Sequence, residues 1–312
     1  MHSIVRQEKR PTLRFPDLVK LAFADSTSRR YLVRRYLLGP VIRLASIVLY
    51  LVYPLLPQRV KTLDRPVFVI GCSRSGTDLF TDLLAMHQEL ANWSEAAQIL
   101  DLRYYNSNHD HYLTEKNATP FETRRLRAFF GLYTWLQGKK RFLNKHPQNT
   151  VRIRYLRAIF PDAYFIHVIR DGRAVIHSNY KPPQQDQYRA YCPFGNFPKP
   201  IQWRQYMNDP PITQFAHQWR DLVEYAQEAC RELDEKHYLE VTYEALCEDA
   251  LSTLAKADAF IGVNPDQRLS ESVNRPLKPQ NYKWRADFHT DDLAQIDRVA
   301  GDLLQHLGYT SE

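Results

Sequence analysis

Apolar and polar positions along this chain fall into two rhythms that change over at sharp points. Pro66-Val67-Phe68-Val69-Ile70 is an unbroken apolar run rich in β-branched residues, the pattern of a strand buried on both faces. It stops at a polar loop, Gly71-Cys72-Ser73-Arg74-Ser75-Gly76-Thr77, after which Leu79, Phe80, Leu83 and Leu84 recur at helical spacing. Residues 163–169 make a second continuous β-rich run, closed by Arg170-Asp171-Gly172-Arg173 and followed by a helical pattern through Val175, Ile176 and Ser178. Shorter strands are predicted at 141–145 and 238–241. Helices are predicted at about 119–137, 149–160, 213–233, 243–263 and 291–307, and Ser94 is placed to cap one that starts at Glu95. Strands alternating with helices predict βαβ units, hence an α/β fold around a mainly parallel sheet. Two long stretches, 181–211 and 264–284, have no periodicity. Loops of that length are usually functional, and 181–211 is read as a substrate-side wall or lid.

The region before the first strand changes the picture of where the protein works. Residues 1–35 are polar and basic, with nothing apolar near the start to suggest a secretory leader. An apolar segment follows at 36–58, and its uncharged part, 44–58, is fifteen residues, short of the roughly twenty that span a bilayer. Tyr36, Tyr50 and Tyr53 flank it, and Arg35 and Arg59 bracket it. Among a spanning helix, an interfacial helix and a buried helix, the interfacial anchor ranks first. The expected organisation is a basic segment, 1–59, carrying a membrane-associated helix at 36–58, and a catalytic domain at 60–312. The expected location is the cytoplasm or the cytoplasmic face of a membrane, with a Golgi-type lumen as the alternative.

Composition narrows the partners. The 312 residues can bury one sizeable core, and a net charge of +7 suits a polyanionic ligand or an acidic membrane. No arginine-rich tract or zinc-finger spacing points to nucleic acid. The four cysteines, Cys72, Cys192, Cys230 and Cys247, lie far apart with no CxxC pair, which argues against a disulfide framework or a cysteine zinc site. Cys72 lies at a helix N-terminus, where a thiol pKa can fall, although a small residue filling the turn suits it as well.

The loop after the first strand is where chemistry concentrates. A helix N-terminus offers unpaired N–H groups and the positive end of its dipole to an anion. Gly71 and Gly76 let the backbone curl around one, while Ser75 and Thr77 supply hydroxyls and Arg74 a charge. The P-loop of nucleotide triphosphatases puts a lysine between its second glycine and its hydroxyl residue. Here Gly76 runs straight into Thr77. The loop resembles instead the 5′-phosphosulfate loop of sulfotransferases that use 3′-phosphoadenosine 5′-phosphosulfate (PAPS). It departs from that family at Ser73, usually proline, and at Asp78, usually a second threonine. An aspartate facing phosphate is repulsive, so Asp78 is expected to turn away or cap locally.

The resemblance runs over about residues 65–310 and implies a three-layer, P-loop NTPase-like fold. It is most specific at 160–175, where Arg170 and Ser178 match the residues that bind the 3′-phosphate. It implies Arg74, Ser75, Gly76, Thr77, Arg170, Ser178 and Lys283 as PAPS-binding residues, PAPS as co-substrate and no metal. The chemistry is sulfuryl transfer to a hydroxyl or amine, with Arg74 and Lys145 as cations and Glu95 as base, in the manner of the glutamate-dependent branch that includes bacterial and tyrosylprotein sulfotransferases. His146 is the rival base, one place out of the family register. The segment 241–246 reads as packing and Trp284 as core. The acceptor is left open among glycan, lipid and peptide, with the membrane-proximal helix favouring a glycan or lipid-linked one, and the oligomeric state is open. The rival readings are a nucleotide kinase or NTPase and a non-catalytic anion-binding protein.

Overall fold

Five parallel strands form one sheet, in the spatial order β2-β3-β1-β4-β5. The computed structural model describes residues 39–102, 110–181, 198–232, 235–264, 266, 273 and 277–309. About half of the lid predicted at 181–211 and of the irregular stretch at 264–284 lies outside them, as do Tyr36 and Cys192. The chain divides into two units, Met1–Val48 and Leu49–Glu312.

In chain order the elements are α1 (Gly39–Val52), α2 (Gln58–Thr62), β1 (Val67–Ile70), α3 (Thr77–Leu84), β2 (Leu90–Asn92), α4 (Ala97–Leu100), α5 (Pro120–Leu136) and β3 (Arg141–Lys145). They continue with α6 (Ile153–Ile159), β4 (Tyr164–Ile169), α7 (Gly172–Tyr180), α8 (Pro211–Arg231), β5 (Tyr238–Thr242), α9 (Tyr243–Glu248), α10 (Ala250–Ile261), α11 (Trp284–Asp287) and α12 (Thr290–His306). Most agree with the periodicity, with four corrections. β2 is three residues long, too short to show an alternation. The helix read at 243–263 is two helices, because Asp249 leaves the helical region at φ −142° and caps the second through Ser252 N–H. The helix read at 149–160 begins instead as a 3₁₀ turn, Pro147–Val151. The apolar helix stops at Val52, where Tyr53–Leu55 tightens into a 3₁₀ turn with Pro54 at its start.

Strand alternation sorts side chains onto two faces. Val67 and Val69 of β1, Leu143 of β3, Ile166 and Val168 of β4 and Val241 of β5 join Phe80, Leu83 and Leu84 of α3 and Leu254 of α10 in one core cluster. Phe68 points the other way, against Phe160 and Phe165, and Phe130 of α5 stacks on Phe142. The sheet therefore lies between two helical layers, the α/β arrangement expected. Because every strand is parallel, their C-terminal ends share one edge, and in open α/β sheets that edge binds ligands.

Candidate active site

The loop leaving β1 is held open by its backbone. Gly71 has φ +148° and a Cβ there would lie 2.5 Å from Val168 O. Gly76 has φ +90° and a Cβ there would lie 2.5 Å from a ring carbon of Tyr243. Both are glycine positions by conformation and by space. Thr150 fixes the start of the loop: Gly71 N–H donates to its Oγ1 at 2.9 Å, and that hydroxyl donates to Gly71 O at 3.0 Å. Arg74 also takes positive φ, +73°, which turns its side chain outward. The Ser75 hydroxyl is buried with no hydrogen-bond partner, a polar atom facing into the loop. Buried Thr77 opens α3.

β4 delivers the second group. Arg74 Nε donates to Ser178 Oγ on α7 at 3.0 Å, so the residues predicted for two different phosphates meet. Arg170 lies just beyond β4, its guanidinium 4.2 Å from the Tyr243 ring centre. Its Nη1 donates to Arg74 O at 2.9 Å, Nη2 to Gln280 O at 2.9 Å, and Nε to Asn281 Oδ1 at 2.7 Å. Glu244 braces this array, accepting from Asn281 Nδ2, from Asp171 N–H at 3.1 Å and from the Tyr309 hydroxyl at 3.0 Å. Lys283 stands exposed at the N-cap of α11 and makes no hydrogen bond or ion pair with the loop among the described residues. The structure brings together Arg74, Ser75, Gly76, Thr77, Arg170 and Ser178, and leaves Lys283 apart.

β3 delivers the third group. Lys145 shares the sheet face of Leu143, so it projects toward the start of α3. There its Nζ pairs with Asp78 Oδ1 and lies 3.0 Å from Glu95 Oε1. Burial works to lower the Lys145 pKa, but the two carboxylates outweigh it and hold the ammonium above the usual lysine value. Asp78 thus corrects the expectation for it. It neither turns away nor caps, because a buried ammonium lies within its reach. Glu95 is held by an extension of the β2–β3 ladder, with Trp93 N–H bonding to Leu143 O at 2.9 Å and Glu95 N–H to Lys145 O at 2.7 Å. Its φ of +53° is incompatible with a helix beginning there. Ser94 instead donates to Asn92 Oδ1 at 3.1 Å and α4 starts at Ala97.

His146 follows Lys145 in extended backbone and so turns to the opposite face. It is buried beside Gln148, and burial, with Arg152 and Lys145 nearby, lowers its pKa to about 3. Cys72 is buried and its thiol is pushed up to about 12, so it fills the turn rather than reacting. Cys72, Cys230 and Cys247 are free thiols. Among the described residues no three His, Cys, Asp or Glu side chains gather as a metal would require.

Sequence reasoning missed Thr150, Tyr243, Glu244 and Asn281. Tyr243 and Glu244 carried one usable signal: they follow directly on a strand end at the ligand-binding edge. Thr150 and Asn281 carried none, since each acts through a neighbour remote in sequence.

The sulfotransferase family profile matches residues 66–267, which takes in the glycine loop, Glu95, Lys145, Arg170 and Ser178 but not Gln280, Asn281, Lys283 or Tyr309. The chain belongs to the sulfotransferase family. Sulfuryl transfer to an acceptor is therefore its chemistry, and the acceptor is not identified. This sulfotransferase is 24% identical over 272 residues to protein-tyrosine sulfotransferase A of Caenorhabditis elegans, covering 78% of this chain and 67% of that one. It is 25% identical over 286 residues to the protein-tyrosine sulfotransferase of Drosophila melanogaster, covering 81% of this chain and 54% of that one. The chain thus spans from about half to two thirds of the length of these relatives. In fold it resembles the sulfotransferase domain from the curacin biosynthetic pathway, with a TM-score of 0.54 at 14% identity, covering 77% of this chain and 98% of that domain.

Proposed function

We propose that this sulfotransferase moves a sulfuryl group from PAPS to a hydroxyl or amine, with Glu95 as the base and Lys145 and Arg74 as the cations. The observation that carries the reading is Glu95 Oε1 at 3.0 Å from Lys145 Nζ, beside a loop built to surround an anion. The residues fit a phosphosulfate group. Ser75 offers a buried hydroxyl without a partner, and the loop has two positions where a Cβ would close the cradle. When bound, PAPS supplies a sulfuryl group activated as a mixed anhydride with phosphate. The loop amides, Ser75, Thr77 and Arg74 would hold its 5′ end, and Arg170 and Ser178 its 3′-phosphate. Glu95 accepts the proton of the acceptor as the acceptor heteroatom bonds to sulfur and the bond from sulfur to the bridging phosphate oxygen breaks, with 3′-phosphoadenosine 5′-phosphate as the leaving group. Lys145 and Arg74 would offset the negative charge that grows on the transferring and leaving oxygens.

The protein-tyrosine sulfotransferase relatives support a peptide hydroxyl as the first acceptor to try, with glycans and lipids after it. The apolar, exposed face of α1 supports placement against a membrane. The test is transfer of ³⁵S from labelled PAPS to pooled peptide, glycan and lipid acceptors, with and without EDTA. EDTA-resistant transfer is expected. Binding of PAPS without transfer to any acceptor would leave an anion-binding protein, and Mg²⁺-dependent ATP turnover would overturn the reading.

A further inference from the structure

We propose that Asp78 and Glu95 form a carboxylate latch on Lys145, which an anion entering the glycine loop opens by taking the lysine. The proposal rests on the reading that this loop holds the phosphosulfate of the donor, and it gives a role to the residue that departs from the family pattern.

The three partners differ sharply in exposure. The Lys145 side chain is 2% exposed, those of Asp78 and Glu95 71% and 60%. The ammonium is therefore the fixed member of the cluster and the carboxylates the exchangeable ones. A carboxylate that lets go returns to water at little cost, whereas a buried ammonium left alone is penalised heavily. Arg170 differs: two of its three hydrogen bonds go to backbone carbonyls and its guanidinium lies on a ring, so it is tied to structure. Among the described residues the ion partners of Lys145 are the exposed carboxylates of Asp78 and Glu95, so it is the cation that can exchange them.

Asp78 is the second residue of α3, where helix geometry favours negative charge. Without an anion its carboxylate provides that charge. With one, the same carboxylate repels the newcomer and competes with it for Lys145. Glu95 shares the lysine, so an anion that takes Lys145 also leaves Glu95 without its counter-ion and a readier proton acceptor. One ammonium thereby links donor entry to release of the base. The linkage is reciprocal: whatever tightens the latch weakens the donor. Asp78 is in this sense a positioning residue that acts through Lys145.

The experiment is calorimetric titration of the full chain with 3′-phosphoadenosine 5′-phosphate and, separately, with inorganic pyrophosphate. Wild type is compared with Asp78→Asn and with Asp78→Thr, which restores a hydroxyl. Both variants are expected to bind both ligands about tenfold more tightly than wild type, with a steeper salt dependence because one repulsive charge is gone. In turnover the donor KM falls while kcat stays within about threefold. Tighter pyrophosphate binding without binding of the nucleotide would keep the latch and overturn the PAPS reading. Equal nucleotide and pyrophosphate affinity in all three proteins would keep the PAPS reading and overturn the latch. Failure of all three to bind either ligand would overturn both.

Discussion

At the scale of single residues, strand alternation separates the two candidate bases. Lys145 and Leu143 share a face, and His146 looks the other way and is buried. Glu95→Gln is expected to lower turnover by about 10²- to 10⁴-fold without loss of nucleotide binding, measured by ³⁵S transfer and calorimetry. Turnover within tenfold of wild type would return the role to His146. Gly76→Ala tests the cradle. It meets both positive φ and the Tyr243 ring, so a loss of about 1–3 kcal/mol in stability is expected by denaturant titration, together with loss of nucleotide binding. Arg74, Ser75, Thr77 and Arg170 could be picked out because they sit at strand-to-helix junctions, and Ser178 because it lies two helical turns past one. Asp78 was not. Its partner is 67 positions away in the sequence, on a strand whose place in the sheet no local pattern reveals.

At the scale of elements, α1 and the β2–β3 pair teach different lessons. Fourteen helical residues at about 1.5 Å each give roughly 21 Å, less than the ~30 Å of a hydrocarbon core. Among the described residues no helix is long and apolar enough to cross a membrane. Val41, Leu44, Val48 and Leu51 recur at spacings of three and four and are all exposed, with Ile47 beside them. Exposed Arg43 lies among these residues on α1, a mixture of apolar and basic side chains suited to an anionic bilayer surface. Leu44→Glu/Leu51→Glu is expected to abolish co-sedimentation with phosphatidylglycerol vesicles while leaving ³⁵S transfer to a soluble acceptor intact. Vesicle binding that survives the change would remove α1 as the anchor. The apolar segment was plain in the sequence, and Pro54 explains its early end. β2 was hidden by its length, although its ladder continues past Asn92 and sets Glu95 against Lys145.

At the scale of the whole molecule, two buried histidines couple stability to pH. His146 and His167 are lowered from the ordinary 6.5 to about 3 and about 4, chiefly by burial. The unfolded chain takes up protons below about pH 6.5 that the folded chain refuses, so stability falls with falling pH across that window. Each histidine contributes about 1.4 kcal/mol per pH unit. The two histidines together are expected to cost roughly 3–4 kcal/mol between pH 7 and pH 5, offset in part by Asp258, whose carboxyl burial raises to about 6. Urea denaturation measures the net slope, and His167→Phe should remove about half of the histidine contribution. A flat profile would place water beside these rings. The sheet that buries them has a consequence for synthesis. β1, the central strand, pairs only with β3 and β4, and Val67 meets Leu143 and Tyr164. A ribosome that has released the glycine loop must add about a hundred more residues before both flanks of that strand exist. Until then the nascent chain carries a bare apolar ribbon, a chaperone client, and the site it will build has no partial form.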